Sequence, residues 1–582
     1  MDQQHSKNNI RGLNKSKLKS LLILLASLML LAIFTIYPFR IDLTEDGRYS
    51  LSPYTVQLIK EINHPIQVNF YLNGDLNPAF YRLRQASVDM LHDLARISKH
   101  KITITYINPA EAVSEEERMQ QFALLAEQGL KPTQVFMRDR EGKSIRKTIF
   151  PWMSLQTNNQ IVNVPLLKNL SDKSGEENIN ISIENLEFEI ADALRSLATK
   201  SITKIAFLEG HGEFNEAETY AITKSLSRYY QIDRGELQNH AAVLYEYPLI
   251  IIAGPKTAFT EADKYILDQY LMYGGSILWL VDGVQYDKQQ LSKQGSTPAI
   301  AAEYNLEDLF FKYGVKIHPA LIQDLQAIEL PVNIAAQDET PQFDFMPWYY
   351  APLLLSSDLH PITKNTGEIL SEFVSYISLT GQLTNIETEL LLASSQHANI
   401  IQTPAVIALQ DIENIVVENF QLSYLPVAVM LSGQFQSNYK NRMKPEEVIT
   451  DLPFKAESEL TRQIFIAGSS IIRNETTGIA SDSTTLPLGY DRNTERIFGN
   501  ERFLLNAIHY LTHQENLIEL RSKSVKIRLL NKQLSISKRK HLQLINIALP
   551  LILLMFFAWI IHWTRKRKYR ASIDKKLVKH SK

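Results

Sequence analysis

The sequence predicts a mixed α/β protein whose large folded part lies between two membrane-spanning helices. Short apolar runs alternate with amphipathic helical patterns, which is typical of parallel strands buried on both faces. A long apolar stretch lies near each end of the chain, and the 582 residues include no cysteine. The fold therefore depends on hydrophobic cores and not on disulfides. A net charge of −2 gives no reason to expect a nucleic-acid partner.

Both apolar stretches are long enough to cross a bilayer. Residues 21–39 contain no charged side chain, and residues 542–563 contain His562 as their one titratable group. Basic residues precede the first stretch and follow the second, which predicts two cytoplasmic termini and a periplasmic segment between them. No small-residue cleavage site follows the first stretch, so we expect an uncleaved anchor in the inner membrane.

The first soluble block, predicted at 40–178, has the pattern of a small thioredoxin-like βαβαββ domain. Apolar and polar residues alternate in its strands, and Ser114 with Glu117 forms a capping box that predicts the start of a helix. The loop after the first strand lacks cysteine, so thioredoxin-type redox chemistry is not expected. Residues 168–180 are polar and predict a boundary or an exposed loop. The strands are predicted at Ile66–Leu72, Lys101–Ile107, Gln134–Arg138 and Ser144–Ile149.

The second block, predicted at 179–515, has the pattern of a doubly wound α/β sheet of the flavodoxin or amidotransferase type. A helix is predicted to begin at Thr260, with Asp263 three residues later. A late helix is predicted at Phe503–Leu511, whereas residues 300–460 show no clear pattern. Buried strands are predicted at Ile205–Leu208, Leu249–Ala253, Ile277–Val281 and Phe465–Ala467.

The segment EGHGE after the first of these strands is the main candidate for a functional site. His211 and Glu213 would lie at the carboxyl end of a buried strand, where open α/β sheets bind ligands. A structural interpretation competes with this one: Gly210 and Gly212 shape a tight turn, and the acids favour the start of a helix. The structural interpretation predicts that the glycines matter more for stability than His211 does.

Other kinds of site are less well supported by the sequence. The turn at Asp282 offers neither serine nor cysteine as a nucleophile, and Ser469 and Ser470 fit a turn. The motif GxxxxGK[ST] is absent, so no P-loop nucleotide site is expected. The acids around His211 lack the spacing of known metal ligands, and we expect neither a metal nor a cofactor.

Several segments together resemble one family. They are LTEDGRYSLS after the first apolar stretch, EGHGE, AGP, YLMYGGSILWLVD, and FGNERFLLNAI before LIELRSK. This combination resembles GldG, the gliding-motility-associated auxiliary component of ABC transporters of Bacteroidetes. The similarity extends over the region between the two apolar stretches and over both stretches. One difference is AGSSI at 467–471, where the family tends to have an acidic GDSDF-like turn.

The resemblance implies a non-enzymatic auxiliary or substrate-binding subunit of an ABC transporter. Its partners would be a GldF-like permease, a GldA-like cytoplasmic ATPase and membrane lipid. Ligand or partner contacts are expected at His211, Glu213, Gly254 and Asp282. A membrane-anchored hydrolase that uses His211 and Glu213, and a structural envelope protein, are the alternatives. The predicted segments are a basic N-terminus at 1–20, spans at 21–39 and 542–563, soluble blocks at 40–178 and 179–515, a stem at 516–541 and a basic tail at 564–582.

Overall fold

The computed structural model describes Met29, residues 51–522 with short gaps, and residues 538–580. The predicted mixed α/β class is confirmed, and the chain forms two compact units, Met1–Ser524 and Val525–Lys582. The predicted first span at 21–39 lies outside the described residues apart from Met29. The gaps are at 63, 99–100, 112–113, 139–143, 158–159, 169–173, 199–201, 336–340, 358, 365, 382–384, 414 and 478–483.

The N-terminal part of the first unit is built on a four-stranded sheet with the order β2-β1-β5-β6. Strand β1 pairs parallel with β2 and antiparallel with β5, and its alternate residues Ile66, Val68 and Phe70 are buried. These side chains pack against the long helix α2, whose N-cap is Asn77. The elements are α1 (Pro53–Glu61), β1 (Ile66–Phe70), α2 (Pro78–Ile97), β2 (Ile102–Tyr106), α3 (Glu115–Glu127), β3 (Thr133–Arg138), β4 (Ser144–Ile149), β5 (Trp152–Gln156) and β6 (Ile161–Pro165).

The predicted βαβαββ order differs from the structure in its last two strands. Strands β3 and β4 pair only with each other among the described residues, and β5 and β6 complete the main sheet. Pro151 separates β4 from β5; because proline has no N–H to donate, it interrupts the strand ladder there. In β5, Met153 and Leu155 are buried and supply the apolar face that the sheet needs.

A 24-residue helix, α4 (Gly175–Ala198), follows this sheet. The predicted block boundary between 178 and 179 falls inside this continuous helix, so residues 175–180 are helical and not a loop. Its Glu187 accepts hydrogen bonds from the Ser52 backbone N–H at 2.5 Å and from Thr55 Oγ1 at 3.0 Å. The helix is therefore tied to the start of α1.

Helix α4 also contacts the other end of the first unit. Two helices close that end, α9 (Asn500–Leu511) and α10 (Glu515–Ser522). The predicted stem at 516–541 thus begins with a helix whose Leu520 is buried. We call the apolar contact among these helices the junction cluster; it contains Leu58 of α1, Phe188 and Ala191 of α4, and Leu520 of α10.

The second part of the first unit is built on a ten-stranded sheet. Five parallel strands form one half in the order β8-β7-β9-β10-β23, which is 2-1-3-4-5 by chain position. The antiparallel strands β22, β19, β16 and β15 continue the sheet from β23. These strands are β7 (Thr203–Leu208), β8 (Tyr230–Gly235), β9 (Leu249–Ala253), β10 (Ser276–Leu280), β15 (Ala327–Asn333), β16 (Phe343–Ser356), β19 (Ile386–Ala393), β22 (Pro426–Gly433) and β23 (Thr461–Ile466), with β17 (Ile369–Leu370) beside β16.

Helices cover both faces of the parallel half, which explains its continuous apolar strands. Every residue of β9 and β10 is buried. Ile251 packs in one core with α5 (Tyr220–Leu226) and α9, whereas Ile250 and Ile252 pack in the other with α6 (Glu261–Met272) and α8 (Glu307–Tyr313). Two cores separated by one sheet account for most of the buried apolar side chains of this part.

Residues 300–460, which show no clear sequence pattern, fold into the antiparallel half of the sheet and into small sheets beside it. Several of their strands pair with partners that are distant in the chain, as β14 does with β20. The remaining elements are β11 (Val284–Gln285), α7 (Lys288–Gln294), β12 (Ser296–Ala301), β13 (Val315–Ile317), β14 (Ala320–Asp324), β18 (Ile377–Leu379), β20 (Ala398–Gln402), β21 (Ala405–Ala408), β24 (Thr476–Thr477) and β25 (Thr484–Thr485).

The second unit contains one long helix, α11 (Arg539–His580), with Pro550 inside it. The most apolar 18 residues of its segment Gln543–Arg567 have a mean hydropathy of 2.6, and this segment is, among the described residues, the one helix long and apolar enough to cross a membrane. This segment contains the predicted second span at 542–563 except for its first residue, Leu542. Length and composition alone support this assignment.

Candidate functional site

All four predicted site residues lie just beyond the carboxyl ends of central parallel strands. The turn with His211 and Glu213 follows β7, and Gly254 follows β9 directly. Strand β8 lies on one side of β7 and β9 on the other, so the strand order reverses here. Such switch points are where open α/β sheets bind ligands. Asp282 follows β10 at the same edge.

His211 is held between two carboxylates. Its Nδ1 lies 3.2 Å from Glu213 Oε1 and its Nε2 lies 3.2 Å from Asp263 Oδ2. The ring stacks on Phe259, with 3.7 Å between centroids and 12° between planes. The His211 side chain is 9% exposed and that of Glu213 is 1% exposed. Both ring nitrogens and one ring face are therefore occupied by protein groups.

This arrangement keeps His211 protonated. Burial alone would lower the pKa of His211, but hydrogen bonds to Asp263 and Glu213 outweigh burial and raise the pKa from 6.5 to about 9. Burial would raise the pKa of Asp263, and the hydrogen bonds from His211 and Thr260 lower it overall. At neutral pH the site therefore contains an imidazolium between two carboxylates.

The local sequence explains why the turn has this shape. Gly210 and Gly212 have φ angles of +115° and +76°, which L side chains rarely adopt. The Glu213 carboxylate also accepts a hydrogen bond from the His211 backbone N–H at 2.7 Å, which closes the turn on itself. Asp263 is in place because it forms the capping box of α6 with Thr260.

Arg234 of β8 holds the other side of the turn. Its guanidinium donates to Glu209 Oε1 at 2.6 Å, to the Phe214 carbonyl at 2.6 Å and to Thr219 Oγ1 at 3.1 Å. It also lies over the Phe207 ring, 4.8 Å from the centroid. Because the planar Arg234 guanidinium donates to three acceptors, it fixes the orientation of the turn.

Gly254 allows a close approach between the β9 loop and the His211 turn. Its φ is +65°, and a Cβ there would lie 2.8 Å from the Phe214 ring. The His211 carbonyl accepts hydrogen bonds from the backbone N–H groups of Lys256 and Thr257 at 2.8 and 3.0 Å. The two predicted positions, His211 and Gly254, thus belong to one packed structure.

Asp282 belongs to a separate contact. One of its carboxylate oxygens accepts the Ser469 backbone N–H at 2.6 Å, and the other accepts the Ser469 hydroxyl. Burial raises the pKa of Asp282, although the hydrogen bonds from Ser469 oppose this. This contact joins the loop after β10 to the AGSSI turn after β23. The structure therefore does not bring Asp282 into the His211 group.

The geometry does not favour acid–base catalysis by His211. A general base must have an unprotonated nitrogen within reach of a substrate proton, whereas His211 is protonated and both its nitrogens contact carboxylates. Among the described residues, no group of three or more His, Asp or Glu side chains is arranged to hold a metal ion. Two exposed basic side chains, Lys256 and Arg473, lie over the Phe214 ring at 5.9 and 5.3 Å.

Sequence reasoning missed the partners that define this site. Phe259 and Asp263 lie far along the chain from His211, and no local pattern connects them to it. The capping box at Thr260 was a visible signal for the α6 start, but it does not show that Asp263 also binds His211. Arg234 was missed as well, because a single arginine in a strand has no distinctive sequence context.

Comparisons with known proteins agree with an auxiliary transporter domain around this site. The chain belongs to the family of ABC-type uncharacterized transport systems, whose match covers residues 203–507, just over half of the chain. Residues 45–156 match a domain of unknown function, DUF7088. The chain is thus an auxiliary component of an ABC transport system.

One curated relative is similar over nearly the whole length. It is an uncharacterized protein of Borreliella burgdorferi, 23% identical over 551 residues that cover 91% of this chain and 94% of the relative. Among solved structures, the N-terminal domain of mmIFT52 is 13% identical and covers 53% of this chain and 97% of that chain. Its TM-score of 0.30 is too low to support an argument about function or fold.

Proposed function

We propose that this chain is a membrane-anchored, non-catalytic subunit that works outside the cytoplasm with a separate permease and a separate ATPase. The observation that carries the proposal is the family match over residues 203–507. The sequence has no GxxxxGK[ST] motif, so ATP hydrolysis would be supplied by another chain. The protonated His211, held by two carboxylates, supports a non-catalytic role and counts against the hydrolase alternative.

The proposed topology has both termini in the cytoplasm and the soluble part in the periplasm. The apolar segment Gln543–Arg567 supports one span, and the basic residues after 563 favour a cytoplasmic C-terminus. Alkaline phosphatase fused after residue 300 should be active, and the same enzyme fused after residue 582 should be inactive. An active fusion at the C-terminus would contradict this topology.

Copurification tests the proposed partners. The full chain, tagged and expressed at its native level, should bring down a multi-span permease and a nucleotide-binding ATPase in mild detergent. Because the ATPase would contact the permease on the cytoplasmic side, deleting the permease should remove the ATPase from the pull-down. Purification of the tagged chain alone would overturn the proposal.

Finer assignments rest on the quoted sequence segments. We propose that the system is GldG-like and linked to gliding motility, with GldF-like and GldA-like partners. The thioredoxin-like nature of the N-terminal part and the flavodoxin-like nature of the second part belong to the same proposal. Deletion of the gene in a gliding host, followed by measurement of colony spreading, tests the link to motility; unchanged spreading would contradict it.

A further inference from the structure

A second site lies at the opposite edge of the parallel sheet, where β9 and β10 begin. A pocket of 310 Å³ is lined there by four tyrosines, Tyr245, Tyr247, Tyr270 and Tyr273. Its volume is at the lower end of the range for small-ligand sites. Two of these tyrosines belong to the segment YLMYGGSILWLVD, whose conspicuous aromatic and glycine residues the transport role does not explain.

The glycine pair of that segment creates the space for the rings. Gly274 and Gly275 line the pocket. A Cβ at Gly275 would lie 2.2 Å from the Tyr270 ring, so only glycine lets this ring sit against the backbone. The Tyr270 hydroxyl donates to the carbonyls of Tyr247 and Ser276 at 2.9 and 3.2 Å, which fixes the ring as one wall.

The other walls are two tyrosine rings in edge-to-face contact. The centroids of Tyr245 and Tyr273 are 5.2 Å apart, with 77° between the planes. The Tyr273 hydroxyl donates to the Pro453 carbonyl at 2.6 Å, so the ring is held at both ends. Burial raises the pKa of Tyr245 to about 12, which keeps this phenol neutral at physiological pH. The walls are therefore fixed, aromatic and uncharged.

The aromatic lining of the pocket favours a cation over an anion. The Lys455 ammonium already lies 4.2 Å from the Tyr273 ring centroid, which shows that this ring accepts a positive charge on its face. Two carboxylates are near, and each is paired with a lysine: Glu246 with Lys204 at 2.8 Å, and Glu459 with Lys455 at 2.9 Å. An anion would meet the negative faces of the rings.

We propose that this pocket binds small organic cations, specifically ligands with a quaternary or alkylated ammonium group. The tyrosine faces would surround the ammonium, and Glu246 and Glu459 would lower the potential at the mouth. Aromatic pockets recognise such groups because the positive charge is spread over apolar methyl groups that lose little hydration on burial. The proposal concerns this pocket alone and does not depend on the transport role.

Titration calorimetry on the full chain in a maltoside detergent tests the proposal. The two probes are choline and dimethylbutanol, its uncharged analogue in which carbon replaces the nitrogen. Cation–π attraction predicts that choline binds roughly tenfold more tightly than the analogue. Equal binding of the two probes, or no heat of choline binding, would overturn the proposal.

Substitutions of Tyr273 distinguish choline recognition by its aromatic ring from a general effect on folding. Tyr273→Leu removes the aromatic face and should weaken choline binding roughly tenfold, whereas Tyr273→Phe should change it less than about threefold. Tyr220→Leu is the matched control, because Tyr220 is another exposed tyrosine with a nearby lysine ammonium, 5.9 Å from its ring. Lys455→Gln removes the resident ammonium and should strengthen choline binding. Equal loss in Tyr273→Phe and Tyr273→Leu would also contradict the proposal.

Discussion

The two edges of the parallel sheet use their polar and aromatic residues in opposite ways. At the carboxyl edge, the charged groups of His211, Glu213 and Asp263 pair with one another inside the protein. At the amino edge, Tyr245 and Tyr273 line an open pocket, and the Tyr273 ring carries the Lys455 ammonium on its face. The usual rule places ligands at the carboxyl edge. The comparison shows that a favoured position in the topology can be occupied by a structural ion group instead.

Removal of the protonated His211 from the carboxyl edge should cause the largest loss of stability. His211→Ala leaves Glu213 and Asp263 partly or fully buried without their partner, so we expect the free energy of unfolding to fall by about 3–5 kcal/mol. Urea unfolding of the full chain in detergent measures this loss. The structural interpretation of the sequence predicted instead that Gly210 and Gly212 matter more for stability than His211 does.

A matched variant distinguishes a lost ion group from lost packing. Combining His211→Ala with Glu213→Gln and Asp263→Asn removes the buried charges together and should recover part of the stability. If His211→Ala alone unfolds like the wild type, the three side chains do not form the ion group described here.

The same edge should make stability depend on pH. The pKa of His211 is raised from 6.5 to about 9, so its contribution is fully present below pH 6.5 and is lost as the pH rises through 9. The pKa difference corresponds to about 3 kcal/mol. Urea unfolding between pH 6 and pH 10 should show this decline in the wild type, and His211→Gln should lack it. Parallel profiles for the two proteins would refute the assignment.

Disturbing the packing between the loop after β9 and the His211 turn should cause a smaller loss of stability. Gly254→Val places a side chain against the Phe214 ring and requires a positive φ, so we expect a loss of roughly 2–3 kcal/mol. Gly367→Val is the control, since Gly367 has a φ of +77° but nothing within 4 Å of its Cβ position. Equal melting temperatures for the two variants would mean that the Phe214 contact has no energetic role.

At the amino edge, a charge change should affect binding and not stability. Glu246 forms an exposed ion pair with Lys204 at 2.8 Å, so Glu246→Gln should leave the melting temperature without measurable change. Choline binding should weaken roughly threefold at low ionic strength, and by less in salt. Choline affinity that is the same in this variant and in the wild type would show that Glu246 does not contribute to the potential at the pocket.

The parallel half of the sheet could be predicted because its signals are local. Strand β9 is an uninterrupted apolar run, and Thr260 with Asp263 marks the start of α6 within four residues. The position of His211 at a strand end followed from these elements. Residues 300–460 could not be predicted in this way, since strands such as β14 find their partners only in the folded chain.

The identity of the site depended on contacts that no local pattern encodes. Asp263 is recognisable as a capping residue, yet its second contact with His211 requires the fold to bring β7 and α6 together. Strands β5 and β6 were missed because the preceding hairpin of β3 and β4 already completed the predicted βαβαββ order. Distant contacts therefore decide both which strands share a sheet and which charges are neutralised.

The junction cluster has a mechanical consequence. Leu58 belongs to the helix through which the chain enters the soluble part, and Leu520 belongs to the helix through which it leaves. Both side chains pack against α4, a helix about 36 Å long at 1.5 Å per residue. A force applied to α1 or to α10 would thus be transferred to the same helix. Helix α4 also packs against the core of the N-terminal sheet. A force on α4 should therefore displace the helix and this sheet together.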